Sequence, residues 1–180
     1  MVWQVETAET DKPHGRLRAR TLSKVSEEPI YGADIVMAIE ARGPDFEMKK
    51  GFLAQAKRLE YGKKLSTADY NGLRKQCQNM LNVTAASFVF IYSRTGVTVL
   101  SANAIITSSN RDLWALPTWP IDVLYYDFAI CWIGDYRLRT TTRRTLDELR
   151  ATLDANAAIR VLGKPKLKEA TPRRRRRVQV

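Results

Sequence analysis

An α/β fold, strands in sequence with helices, is what this sequence predicts, on three observations. Two apolar, strand-like segments at 33–41 and 51–59 are joined by a polar loop. The hydrophobic period then changes: Tyr70, Leu73, Cys77, Met80 and Leu81 recur at three- and four-residue spacing, as on one face of a helix. A continuous apolar run, SFVFIYSR at 87–94, follows as a buried strand.

Taken in order, residues 1–14 are polar and mixed and read as a flexible N-terminal segment. GRLRARTLSKVSEE, 15–28, has a helix-compatible composition and is stopped by Pro29. The sequence also leaves room for an additional strand before Glu28. ADIVMAIEA is bounded by Gly32 and Gly43 and is expected to be a strand; RGPDFEMKK is a loop, and GFLAQAKRL a second strand. EYGKKL is a basic connector. In STADYNGLRKQCQNMLN, Ser66 or Thr67 can cap a helix and Asp69 favours its first turn. TGVTVLSANAI reads as a turn and a further extended segment.

The second half is aromatic-rich. LYYDFAICWI, 124–133, is expected to be a buried helix on its length and Asp127. TLDELRATLDANAAIRVL, 145–162, is expected to be one helix capped by Thr145. The chain thus divides into a domain over 15–162, with a core at 15–105 and a helical extension at 106–162, and a basic disordered tail at 163–180.

The 180 residues suffice for one domain, and 44% hydrophobic content is enough to bury a core. The net charge of +11 points to a polyanionic partner, nucleic acid by default. Five of those charges are the consecutive arginines 173–177, and without them the chain is still +6. That run would bind nucleic acid without sequence preference, or serve only to solubilise. One histidine, His14, excludes a multi-histidine metal site and argues against a serine–histidine triad. Cys77 and Cys131 have no metal-type spacing and are expected to be buried free thiols of a reducing cytoplasm. No segment is long and apolar enough to span a membrane.

The chemistry concentrates between residues 28 and 57. Side chains alternate along a strand, so Gln55 and Lys57 share a face, and Asp34 shares one with Val36, Ala38 and Glu40. If the two strands pair, Asp34 approaches Gln55 and Lys57, with Glu28 just upstream; Glu27 is the less well-spaced alternative. Glu40 is expected to be exposed near its strand end. Carboxylate and carbonyl oxygens suit a hard cation such as Mg²⁺ or Mn²⁺. A bound cation can activate water and neutralise charge on a phosphate, and a lysine beside it can stabilise the transition state. Taken singly, each has a plainer reading: Asp34 as a turn residue, Gln55 and Lys57 on a solvated strand face. Arg58, Lys63 and Lys64 could contact phosphates or form a solvated connector.

Glu28-x-x-x-Gly-Ala-Asp34-Ile, then Phe-Leu-Ala-Gln55-Ala-Lys57-Arg, then a helix carrying Gln76, resembles the PD-(D/E)XK nuclease superfamily, specifically the Gln-x-Lys branch that includes the Mrr-type restriction endonucleases. The resemblance covers about residues 15–105. It implies a restriction-endonuclease-like core, a mixed β-sheet flanked by α-helices in the order α-β-β-β-α-β, and divalent-metal-dependent cleavage of DNA, as in a restriction or phage-defence effector. It makes Asp34 the central metal-binding acid, puts Gln55 in the place of the second acid, makes Lys57 the motif lysine and Glu28 the helix acid completing the metal shell. Gln76 or Gln78 matches a helix glutamine near the site. Because Gln55 replaces a carboxylate, a weak or inactive relative that binds nucleic acid or a protein partner is the alternative expectation. A third is an interaction module. The aromatic cluster of Trp114, Trp119, Tyr125, Tyr126, Phe128 and Trp132 is expected to form core or an interface for a second copy or partner protein, because basic residues are nearly absent around it.

Overall fold

The structure is a computed structural model that describes residues 16–21, 31–42, 47–139 and 142–163. The expectations for residues 1–14, Glu27, Glu28 and the arginine run lie outside the described residues. Among the described residues seven strands form one sheet in the order β1-β7-β2-β3-β4-β5-β6. They are β1 (Arg16–Thr21), β2 (Ile35–Arg42), β3 (Glu47–Arg58), β4 (Ser87–Ser93), β5 (Gly96–Ser101), β6 (Trp119–Pro120) and β7 (Ala157–Gly163). β2 pairs antiparallel with β3 and parallel with β7, and β3 pairs parallel with β4, so the sheet is mixed. The described residues add four α-helices: α1 (Thr67–Val83), α2 (Ala102–Thr107), α3 (Ile121–Ala129) and α4 (Arg143–Thr152).

Each face of the sheet carries its own core, because alternate residues along each strand point to opposite sides. On one face Val36, Ala38, Leu53, Val89, Ile91 and Leu100 pack against Leu73, Cys77 and Met80 of α1, Ile105 of α2 and Leu146 of α4. On the other, Met37, Phe52, Phe88, Phe90 and Val99 pack against Leu124 and Phe128 of α3. Phe52 is the centre of that second core, with ring centroids 4.9 Å from Phe128, 5.5 Å from Phe88 and 6.1 Å from Phe90, all edge-on.

α1 lies where the period predicts, and its start follows from local chemistry. The Ser66 hydroxyl accepts from the Asp69 backbone N–H at 3.0 Å, satisfying one of the amides that a helix start leaves without a partner. The α4 cap is Thr142, not Thr145: the two form a reciprocal capping box three residues apart.

Four expectations are corrected. Residues 16–21 form a strand rather than the first part of a helix, paired antiparallel with β7, in keeping with the strand for which the sequence left room. β3 begins at Glu47, four residues before the apolar run, because the register with β2 continues to Arg42↔Glu47. The extended segment expected over 95–105 holds only as β5: past Ser101, the N-cap, the chain becomes helix α2. The single helix expected over 145–162 is two elements: α4 ends at Thr152, the chain turns through Asp154 at φ +47°, and β7 enters the sheet beside β2. The C-terminal extension is therefore not wholly helical.

The polar expectations divide similarly. Cys77 is buried, and burial pushes its thiol up to about 12. Cys131 is exposed, because α3 has ended and the chain turns there at φ +71°. Glu40 is not exposed: its carboxylate accepts from the Arg160 guanidinium on β7, and both side chains are largely covered. The aromatic cluster is split. Phe128 is core, Trp119 packs on Phe88, and Trp114 donates its indole N–H to the Glu60 carbonyl at 3.0 Å, whereas Tyr126 and Trp132 are exposed. Segment 133–138 is tied to the sheet by paired backbone hydrogen bonds between Gly51 and Asp135, at 2.9 and 2.7 Å. Among the described residues no helix is long and apolar enough to cross a membrane.

Candidate functional site

The site forms where β3 outruns its neighbour. The β2–β3 register begins at Ile35↔Ala54, so β3 continues through Gln55, Ala56, Lys57 and Arg58 with no β2 residue opposite. A strand edge left in this way presents backbone groups that need partners. Asp34 supplies one. Its own N–H donates to the Ala54 carbonyl at 3.0 Å, its carbonyl accepts from the Ala157 N–H at 2.8 Å, and its carboxylate Oδ2 accepts from the Ala56 N–H at 3.0 Å. The residue is thereby pinned between β3 and β7 at the point where β2 starts.

Two amides complete the arrangement. Gln55 Nε2 donates to Asp34 Oδ2 at 2.5 Å, and Asn156 Nδ2, from the turn before β7, donates to Asp34 Oδ1 at 2.6 Å. Gln55 is 6% exposed. Its carbonyl Oε1 and the carbonyl Oδ1 of Asn156 are both buried with no hydrogen-bond partner among the described residues. An acceptor stranded in this way costs about 1–3 kcal/mol, so each is a feature to be explained.

The turn that delivers Asp34 depends on Gly32. Its φ is +73°, and a Cβ there would lie 2.5 Å from the Gln76 carbonyl oxygen and 2.7 Å from the Gln76 Cα. Only glycine allows both that backbone conformation and the close approach to α1.

Lys57 points to the α1 side. Its ammonium lies 3.4 Å from the Asp69 carboxylate, at the start of that helix. Asp69 is held below the usual carboxylate range by the Ser66 hydroxyl first and by Lys57 second. Lys57 and Asp69 line an open groove of about 260 Å³ together with Ala68, Gly72, Leu73 and Gln76. Gly72 has no neighbour within 4 Å of where a Cβ would stand, so α1 presents bare backbone there.

The sequence-predicted residues are thus only partly united. Asp34 and Gln55 touch, Lys57 follows two residues on along the same strand, and Gln76 shares the groove with Lys57. Gln78 instead donates to Asn82 at 3.2 Å on exposed helix surface. Arg58 and Lys63 are exposed, and Lys64 lies 3.8 Å from Asp112. Glu28 lies outside the described residues. Among the described residues no three His, Cys, Asp or Glu side chains cluster so that they could hold a metal ion.

Asn156 was not anticipated, because it falls inside the expected 145–162 helix. A signal was present: Asp154 and Asn156 are turn formers, and Ile159 and Val161 then recur at strand spacing.

The donors fit a hard divalent cation in kind: one carboxylate and two amide carbonyls, the latter with acceptor capacity unused. Comparison of the chain with protein-family models, with curated proteins and with solved structures found no match to any of the three.

Proposed function

We infer that the protein is a divalent-metal-dependent nuclease with a restriction-endonuclease-like core, acting on DNA phosphodiester bonds. One observation carries the reading: Asp34 and Gln55, 21 residues apart, meet at 2.5 Å at the end of paired strands, with Lys57 next along the same strand beside an open groove. The order strand, strand, helix, parallel strand from β2 to β4 supports it.

Asp34 and Gln55 would hold the cation, Mg²⁺ or Mn²⁺, with Glu28 as a further ligand from upstream. When bound, such an ion activates water and offsets charge on the phosphate. Lys57 supplies a positive charge at the groove wall. It orients a phosphate entering beside α1 and stabilises the charge that builds on it. The bare backbone at Gly72 lets a nucleic-acid strand approach the helix closely.

A specific observation favours a second reading, a nuclease-fold protein that binds nucleic acid or a partner without cleaving. The Asp34 carboxylate already accepts three N–H groups, and a neutral amide stands where a second acid would serve.

The deciding experiment incubates the protein with supercoiled plasmid and with single-stranded DNA in Mg²⁺, Mn²⁺ or EDTA, beside Asp34→Ala and Lys57→Ala. Metal-dependent nicking lost in both variants is the expected result. Salt-sensitive DNA binding with no cleavage would replace the nuclease reading with the second one. Cleavage that survives both substitutions would remove the site from consideration.

A further inference from the structure

We propose that Asn156 is a carbonyl-oxygen ligand of the same divalent cation, so that the C-terminal turn before β7 completes a site otherwise built from β2 and β3. The proposal rests on the metal-site reading above and adds to it a residue from 122 positions away in the chain.

Three observations converge. Asn156 Nδ2 reaches Asp34 Oδ1 at 2.6 Å, on the opposite carboxylate oxygen from Gln55, so the two amides flank the carboxylate. The carbonyl oxygens of both amides are buried and have no hydrogen-bond partner among the described residues. The backbone is fixed as firmly as the side chain: Ala157 N–H donates to the Asp34 carbonyl at 2.8 Å, which sets the 156–157 turn against the start of β2.

An amide carries a donor and an acceptor at its two ends, exchanged by rotation about the last side-chain bond. Its nitrogens can therefore hold the carboxylate while no cation is bound, and its oxygens can serve the cation. Amide carbonyls beside a carboxylate are an ordinary ligand set for hard cations. A merely structural asparagine would be expected to use its oxygen as well as its nitrogen, since burying an acceptor unpaired is costly. Here that oxygen and its Gln55 counterpart are unused, and both belong to amides whose nitrogens contact Asp34.

The test measures Mn²⁺ binding to the full chain, by the electron paramagnetic resonance signal of free Mn²⁺ and by calorimetry, for the wild type, Asn156→Ala, Asn156→Asp and Asp34→Ala. Melting curves in EDTA and in Mn²⁺ accompany each. Asn156→Ala is expected to weaken Mn²⁺ binding about tenfold or more. Asn156→Asp is expected to melt lower than wild type in EDTA, since two carboxylates then face each other, and to gain more than wild type on adding Mn²⁺. That cation-dependent recovery is a response a purely structural residue would not give, and it stands even if Asn156→Ala folds poorly. Asn156→Ala binding like wild type while Asp34→Ala does not bind would overturn the role of Asn156 and leave the metal site intact. Wild type and Asp34→Ala behaving alike, or wild type not binding Mn²⁺, would overturn both.

Discussion

Replacing Asp34 by alanine is expected to destabilise the protein in the absence of any cation. Acids gathered at a metal site usually repel one another, so removing one often stabilises the fold. Asp34 is placed differently. Its carboxylate accepts from the Ala56 N–H at 3.0 Å, from Gln55 at 2.5 Å and from Asn156 at 2.6 Å. Each hydrogen bond to a charged group contributes about 1.5–3 kcal/mol net, and burying the carboxylate offsets part of that sum. Removing one partner of such a network costs about 3 kcal/mol, or about 6–12 °C in melting temperature for a chain of this size. The assay is urea unfolding in EDTA followed by circular dichroism, where a lower midpoint at unchanged slope reports stability alone. Lys57→Ala is the control, because its pair with Asp69 is open to solvent and screened, so little stability depends on it. An Asp34→Ala protein as stable as wild type, or more so, would refute the reasoning: the carboxylate would then be a strained functional acid, not the anchor of the β3 edge.

Two further outcomes follow from the geometry. Gly32→Ala should cost about 1–3 kcal/mol in the same unfolding assay and lower plasmid nicking with it, because a Cβ 2.5 Å from the Gln76 carbonyl forces the Asp34 turn away from α1. Asp135 is held down to about 2, chiefly by the Arg137 guanidinium and with help from the Thr84 hydroxyl. Its folded value lies below the unfolded one, so its contribution is complete above about pH 5 and is lost as pH falls toward 2. With solvent screening at exposed Arg137, about 1 kcal/mol should separate wild type from Asp135→Asn at pH 7 and shrink as pH falls through 2, read as converging urea midpoints.

Much of the first half could be read from neighbouring residues alone. The helix over 67–83 announces itself through its period and through Ser66 and Asp69, which meet three residues apart. The pairing of β2 with β3 follows from two apolar runs and a short polar link, and with it comes the approach of Asp34 to Gln55. The length of β3 was harder to read, since Glu47, Lys49 and Lys50 look like loop. Yet Lys50 is 1% exposed, its ammonium donating to the Ile133 carbonyl at 2.6 Å and lying 4.9 Å above the Phe128 ring. A lysine so placed is drawn below its usual range by burial, and only a partner 83 residues away makes the placement tolerable.

The order of residues alone sets the α/β class, the amphipathic helix α1 and, once the two apolar runs pair, the approach of Asp34 to Gln55. These depend on periodicity and on short-range pairing, which the order of residues encodes directly. The tertiary structure alone decided that residues 157–163 leave a helical-looking run to lie parallel to β2, and that Asn156 therefore reaches Asp34. A turn at Asp154 and Asn156 and the spacing of Ile159 and Val161 permit a strand there, but only the free edge of β2 on one side and β1 on the other make it pair, and those partners lie far away in the chain.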